Sequence, residues 1–230
     1  NCLSNAKAQS ANFPFCTIEP NIGVVNVPDA RVAKLEAMVN PERVVPATVE
    51  IVDIAGLVKG ASKGEGLGNQ FLGNIRETDA IIHVLRCFDN DNIVHVDSSV
   101  DPVRDKETID IELQLKDLET AEKRIERVKR NAKTGNKEAQ AELDVLLRIQ
   151  ATLLAGRSLR TLDFSEKEEE FVKPIQFITA KPVMYVCNVD ESAAVNGNAY
   201  VEAVKEAVKE EAAEIIVLAV GTEADITELD

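Results

Sequence analysis

The stretch best suited to chemistry runs Val49-Glu50-Ile51-Val52-Asp53-Ile54-Ala55-Gly56-Leu57, with further glycines at Gly60, Gly64, Gly66 and Gly68. An apolar, β-branched run ends in an acid, and a glycine follows three residues later. A carboxylate at a strand end can face the shell of a hard divalent cation, while the N–H of such a glycine can approach a terminal phosphate. That pairing is the chemistry of phosphoryl transfer. A bare Asp-x-x-Gly equally fits a buried strand that ends in a turn, so the neighbouring residues decide between the two readings.

Upstream, Phe13-Pro14-Phe15-Cys16-Thr17-Ile18-Glu19-Pro20-Asn21 is held extended by two prolines. Thr17 offers a hydroxyl of the kind that completes a Mg²⁺ shell when a γ-phosphate is present; the plainer reading is a proline-punctuated loop. Downstream, Pro182 to Asn188 reads as a buried strand ending in Asn188-Val189-Asp190-Glu191. After a helix from Tyr200 to Ala213, a second strand, Ile215 to Ala219, leads into Val220-Gly221-Thr222. Two strand ends separated by a helix, the first with a polar Asn-x-x-acid, form the crevice in which nucleotide folds hold a base.

These residues need elements to position them, and composition bounds the elements. With 230 residues, 45% of them apolar, and no apolar run near the roughly 20 needed to span a bilayer, the chain reads as one globular domain plus an insertion. The four cysteines, Cys2, Cys16, Cys87 and Cys187, are scattered without a C-x-x-C pair, which points to a reducing, cytoplasmic setting. A formal charge of −14 argues against nonspecific nucleic-acid binding by the molecule as a whole.

A strand Val24 to Val27, a helix Asp29 to Asn40 stopped by Pro41, and a strand Thr48 to Val52 lead to Asp53. A helix from Asn69 to Thr78 and a strand Ala80 to Phe88, expected to be buried on both faces as in a parallel sheet, follow the glycine-rich loop. His83 in that strand reads as hydrogen-bonded core. His95 has no second His or Cys nearby for a metal site and is assigned no role.

From about Asp105 to Gly156 the periodicity becomes helical. Ile111, Leu115, Leu118, Ala121, Ile125 and Val128 recur at three- and four-residue steps, as do Ala139, Leu143, Leu146, Ile149 and Leu153, with Thr134-Gly135-Asn136 between the two sets. The pattern predicts an antiparallel coiled-coil hairpin. A third helix starts at Ser165, where Glu168 completes a capping box, and Pro174 kinks or divides it. Near the hairpin tip, Lys123, Arg124, Arg127, Lys129, Arg130 and Lys133 form a basic run. It fits a solvated face paired with Glu119, Glu122 and Glu126, or an RNA- or protein-docking surface.

Four strings together, Phe13 to Asn21, Asp53 to Val58, Gly64 to Asn69 and Asn74-Ile75-Arg76-Glu77-Thr78-Asp79-Ala80, resemble the Obg-like ATPase (YchF) family of P-loop hydrolases of the TRAFAC class. The resemblance spans essentially the whole chain, and strings this long, in this order, are highly specific. It implies an α/β three-layer fold with a mostly parallel sheet, divided as residues 1–97, a helical insertion 98–178, and residues 179–230. It also implies a phosphate loop upstream of Asn1 and a TGS domain after Asp230, so the chain reads as an internal fragment that by itself binds nucleotide weakly or not at all.

Carried over, the resemblance makes Thr17 and Asp53 ligands of Mg²⁺ and Gly56 the residue at the γ-phosphate. Asn188, Val189, Glu191, Gly221 and Thr222 become the base side of the site. Leu57 departs from Ras-type GTPases, where a glutamine orients the attacking water; leucine has neither donor nor acceptor. Val189 and Glu191 stand where guanine readers have Lys and Asp, which favours ATP over GTP. The resemblance implies a ribosome-associated hydrolase that works as a switch. The alternatives are a nucleotide-sensing ribosome- or RNA-binding module in which hydrolysis is incidental, and a structural coiled-coil adaptor that would leave the switch strings unexplained.

Overall fold

A computed structural model of the chain describes residues 21–54, 68–93, 95, 99–211 and 213–229. Strands β1 (Asn21–Asn26) and β2 (Thr48–Asp53) pair antiparallel, and helix α1 (Ala30–Val39) connects them. Asp29 caps α1 by accepting from the Arg31 N–H at 2.8 Å, and Asn40 ends it at φ 45°. None of the α1 residues is buried: Leu35 and Val39 are 57% and 68% exposed.

Strands β3 (Ile81–Arg86), β4 (Val183–Asn188) and β5 (Glu214–Leu218) form a parallel sheet in the order β3-β4-β5. Helix α2 (Gly68–Glu77) precedes β3, and α6 (Ala199–Val208) crosses from β4 to β5. The α6 side chains of Val201, Val204 and Val208 pack on Leu85, Cys87, Tyr185 and Cys187. Both cysteines sit there as small hydrophobes. The mostly parallel α/β architecture expected from sequence is present, as a three-stranded parallel sheet beside the antiparallel pair.

Burial of β3 on both faces is not found. Leu85 is buried, but Ile82 and Val84, pointing the other way, are 47% and 58% exposed because α6 covers only the face of Leu85. His83 is half-buried and packs on the Tyr185 ring at 5.7 Å between centroids, and burial pushes its pKa down; the hydrogen bond expected for it is not found among the described residues.

Between β3 and β4 lies the helical insertion. Helices α3 (Pro102–Ala132) and α4 (Lys137–Leu154) form the expected antiparallel hairpin, with Gly135 in the turn at φ 82° and Asn136 capping α4. Ala121, Ile125 and Val128 meet Ala139, Val145, Leu146, Ile149 and Leu153. The predicted stripe fails in the first half of α3: Ile111 and Leu115 are 53% and 41% exposed, while Leu113 is buried. There the helix faces the sheet domain instead of α4, and Leu113 packs with Leu72, Ile75 and Ile178. Helix α5 (Glu166–Val172) starts with the expected capping box, the Glu168 carboxylate accepting from the Ser165 N–H at 2.8 Å. Pro174 divides the segment, which continues as a short 3₁₀ turn, Lys173–Ile175.

Two buried polar clusters hold the insertion against the sheet. Asp117, on α3, is 0% exposed and accepts from the N–H groups of Ile178 and Thr179 at 2.9 and 2.7 Å and from the Thr179 hydroxyl at 2.8 Å. It thereby satisfies the first turn of a 3₁₀ helix just before β4. In the second cluster Lys106 bridges Asp110 at 2.6 Å and Glu211 at 2.5 Å, and Glu211 also accepts from the Tyr185 hydroxyl at 2.8 Å and Arg160 at 3.2 Å. Burial alone would raise the Glu211 pKa, but the hydrogen bonds and charges of Lys106, Tyr185 and Arg160 outweigh it, and the net direction is down. Burial would likewise lower the Lys106 pKa, yet Asp110 and Glu211 raise it.

Both clusters are testable through stability. Asp117→Ala leaves two buried N–H groups unpaired and is expected to destabilise the chain by about 3 kcal/mol, read as a lower urea midpoint. For the second cluster, the folded pKa of Glu211 lies below its ordinary 4.5. Its contribution is therefore present above that value and lost as pH falls through the lowered one; Glu211→Gln should flatten this acid limb in urea titrations run from neutral to acid pH.

Candidate functional site

The carboxyl ends of the parallel strands gather three polar loops. At the end of β4, Asn188 pairs with Arg86 of β3 and Leu218 of β5 in the sheet register. Its side-chain Oδ1 accepts from the Val220 N–H at 3.1 Å, so the loop after β4 is tied to the start of α7 (Val220–Thr227). Asn188 thus pins the neighbouring loop. Gly221 and Thr222, read as a strand-end loop, lie in the first turn of α7, Gly221 exposed and Thr222 half-buried.

Glu191 is exposed and opens a short 3₁₀ turn, Glu191–Ala193. That turn is capped by Asp190, whose carboxylate accepts from the Ala193 N–H at 3.0 Å and the Ser192 hydroxyl at 2.7 Å. The carboxylate beside Glu191 is thereby committed to the backbone, and Glu191 is the one left facing solvent. Val189 corrects the expectation that placed it on the base side. It is 3% exposed and packed in the apolar cluster with Leu85, Cys87 and Val201, because the backbone alternation that sends Asn188 outward sends Val189 inward. Only its backbone can serve a ligand, and its N–H is already given to the Leu218 carbonyl at 2.9 Å.

Neighbouring side chains stiffen this edge. Asn198 donates to the Cys87 carbonyl at 2.7 Å, and the Tyr200 hydroxyl donates to Asp89 at 2.9 Å, so the start of α6 is fastened to the end of β3. Arg86 fans out to the carbonyls of Phe88, Asn90 and Ile93 at 3.0–3.1 Å and fixes the loop after β3. None of these was singled out from sequence. Asn198 was findable, as an N-cap before an apolar-periodic run, whereas the Tyr200–Asp89 contact spans 111 residues and leaves no local signal.

Asp53 is the exposed last residue of β2, opposite Asn21 in the antiparallel ladder, and enters no ion pair among the described residues. An unpaired carboxylate oxygen at a strand end is the hard donor that Mg²⁺ takes, usually one or two at a time beside phosphate oxygens. Thr17, Gly56 and Leu57 lie outside the described residues. The structure therefore brings Asn188, Glu191, Gly221 and Thr222 together at one sheet edge, with Asp53 on the separate antiparallel pair. His95, given no role from sequence, pairs with Asp105 in the first turn of α3 at 2.9 Å.

A parallel sheet with its polar loops collected at the carboxyl edge, interrupted by a helical hairpin, is the α/β fold of the P-loop nucleotide hydrolases. The model of the 50S ribosome-binding GTPase family matches residues 1–133, and the chain belongs to that family. It is 52% identical over 230 residues to the ribosome-binding ATPase YchF of Escherichia coli O157:H7 and 48% identical over 232 residues to that of Bacillus subtilis (strain 168). In both comparisons all of this chain is matched, and it spans 63% of the relative's length. The solved structure of the Schizosaccharomyces pombe YchF GTPase superposes with a TM-score of 0.78 at 36% identity, covering 99% of this chain and 62% of that one.

If Asn188 is the tie between the two loops, Asn188→Ala frees the Val220 amide. Hydrogen exchange at that amide should accelerate by about tenfold, a loss on the scale of one ordinary hydrogen bond, while amides of the hairpin stay as they are.

Proposed function

We propose that this chain is the switch-bearing part of a Mg²⁺-dependent nucleotide hydrolase that prefers ATP to GTP and docks on the ribosome through its helical hairpin. The observation that carries the reading is the tie from Asn188 to Val220, which joins the polar ends of two adjacent parallel strands in a chain of this family. Support for the ribosome as partner comes from the names of the relatives and from the hairpin itself. The division into residues 1–97, 98–178 and 179–230 is part of the same reading; it is supported by the separate apolar clusters of hairpin and sheet.

In this reading Thr17 and Asp53 hold Mg²⁺, Gly56 meets the terminal phosphate, and Asn188, Glu191, Gly221 and Thr222 surround the base. Bound there, Mg²⁺ would neutralise charge developing on the phosphate oxygens. The chain's own contribution is to hold Asp53 at a rigid strand end and to keep the base-side loops fixed in advance. A guanine reader needs a carboxylate on a short stem. Here that position carries Glu191, and Asp190 is turned to its own backbone, which supports adenine.

Charges on the hairpin divide into two groups. Lys123 pairs with Glu119, and Arg124 pairs with Glu142 at 2.5 Å. Lys123 and Lys116 together draw the Glu119 pKa down to about 2. Nearer the turn, Arg127, Lys129, Arg130 and Lys133 are exposed and form no ion pair among the described residues. An unneutralised basic tip on a chain of formal charge −14 suits a phosphate backbone as partner.

Three outcomes test the proposal in the intact protein. Asp53→Ala should cut steady-state ATP turnover by about a hundredfold or more, the scale of a missing metal ligand, whereas Leu57→Ala should leave ATP affinity within about twofold. Unchanged turnover in Asp53→Ala would remove the switch assignment. Replacing Arg127, Arg130 and Lys133 by Glu should weaken ribosome co-sedimentation and flatten its dependence on log salt by about 0.7–0.9 for each phosphate no longer neutralised. In competition binding, Glu191→Asp should shift preference towards GTP by about tenfold, and a parent that already favours GTP would contradict the assignment of the base.

A further inference from the structure

An open cavity of about 490 Å³ lies at the amino edge of the parallel sheet, where β4 starts at Val183, β5 starts at Glu214, and both residues line it. That is the size of a small-molecule site, and it sits at the opposite end of β4 from Asn188. Its other walls are α5 and the chain just before α5, so Leu162, Phe164 and Val172 give it an apolar floor. Arg148 stands over the Phe164 ring, 5.3 Å from its centroid, and holds that ring in place.

The charged side chains of the lining divide into those already spent and those still open. On the rim Lys173 pairs with Glu169 at 2.6 Å. Glu211 gives one oxygen to Lys106 and the other to the Tyr185 hydroxyl and Arg160. Arg160 is only partly used. Its side chain is 7% exposed, its Nε donates to the Lys181 carbonyl at 3.3 Å and its Nη1 to Glu211 at 3.2 Å, while its Nη2 has no acceptor among the described residues. Glu214 is exposed and enters no ion pair or side-chain hydrogen bond among the described residues. A nearly buried guanidinium that keeps a donor nitrogen open to a cavity is a seat for a carboxylate. A ligand that is only an anion fits poorly there, because Glu211 and Glu214 repel it. One that also carries an ammonium meets Glu214 and turns that repulsion into attraction.

We propose that this cavity binds a free amino acid with a large apolar or aromatic side chain, its carboxylate on Arg160, its ammonium on Glu214 and its side chain against Phe164 and Val172. The site is separate from the carboxyl edge of the sheet and does not depend on the nucleotide reading of that edge. Arg160 lies between the insertion and Glu211 just beyond α6, so an occupant that engages Arg160 and Glu214 bridges the insertion to the sheet domain and stabilises that joint by mass action.

The test is a titration of the intact protein with L-phenylalanine, N-acetyl-L-phenylalanine and L-phenylalaninamide, read by NMR at the methyl groups of Leu162, Val172 and Val183. Phenylalanine is expected to shift these methyls with a Kd of about 1 mM or tighter, the scale set by its few heavy atoms. The acetylated compound lacks the ammonium and the amide lacks the carboxylate, so each should bind at least about fivefold more weakly. Glu214→Gln exchanges an exposed carboxylate for a group of the same shape, and it should cost phenylalanine the same factor. Arg160→Lys, which keeps the charge but loses the planar fork, should weaken phenylalanine and the acetylated compound together; if that variant does not fold, Glu214→Gln decides alone. Absence of any shift at these methyls up to about 20 mM phenylalanine, well above the affinity expected for a ligand of this size, overturns the proposal. So does acetylphenylalanine or the amide binding as tightly as phenylalanine, which would assign the cavity to a peptide end, and so does parental phenylalanine affinity in Glu214→Gln.

Discussion

The carboxylate of Asp117 is the constraint on which the rest of the structure depends. A group fully removed from water is tolerated only when its oxygens are satisfied, and here three donors from Ile178 and Thr179 do so. Burial still raises its pKa against the pull of those bonds. Meeting this demand fixes the start of the insertion against its end, and so places β4 beside β3 even though 96 residues separate Arg86 from Val183 in the chain. Everything at the carboxyl edge of the sheet, including the tie from Asn188 to Val220, inherits its position from that closure. The Lys106, Glu211, Arg160 and Tyr185 cluster does the same on the far side, where α3, the insertion and α6 meet.

The hairpin has two differently made halves. Near its root, α3 uses buried polar groups and Leu113 to lie on the sheet domain; further out it uses Ala121, Ile125 and Val128 to pair with α4. The change of face along one 31-residue helix is what joins a rigid rod to a nucleotide-type fold. Charge follows the same division. The root pairs its ions internally, and the tip presents cations that no neighbour neutralises among the described residues.

Local signals in the sequence are reliable where one element decides its own form. The Thr134-Gly135-Asn136 turn, the capping box of Ser165 and Glu168, and the break at Pro174 are each settled by backbone preferences within a few residues, and each is found. Periodicity misleads where it cannot say which neighbour a face will meet. Ile111 and Leu115 continue an apolar stripe, yet at that point α3 has turned to the sheet domain. Ile82 and Val84 are apolar in a strand covered on one side only. Matching Val189 to a lysine puts it at the base, whereas strand alternation points it into the core. The polar cluster of Lys106 and Glu211 is illegible in the sequence because its members come together only after folding.

The most direct test of the account compares the affinity of the intact protein for ribosomes when it is loaded with Mg²⁺ and a non-hydrolysable ATP analogue and when it is loaded with Mg²⁺ and ADP. The proposed nucleotide switch requires different affinities, at least about tenfold apart, which is a coupling free energy of about 1.4 kcal/mol. Equal affinities in the two states, with nucleotide shown to be bound in both, would contradict it.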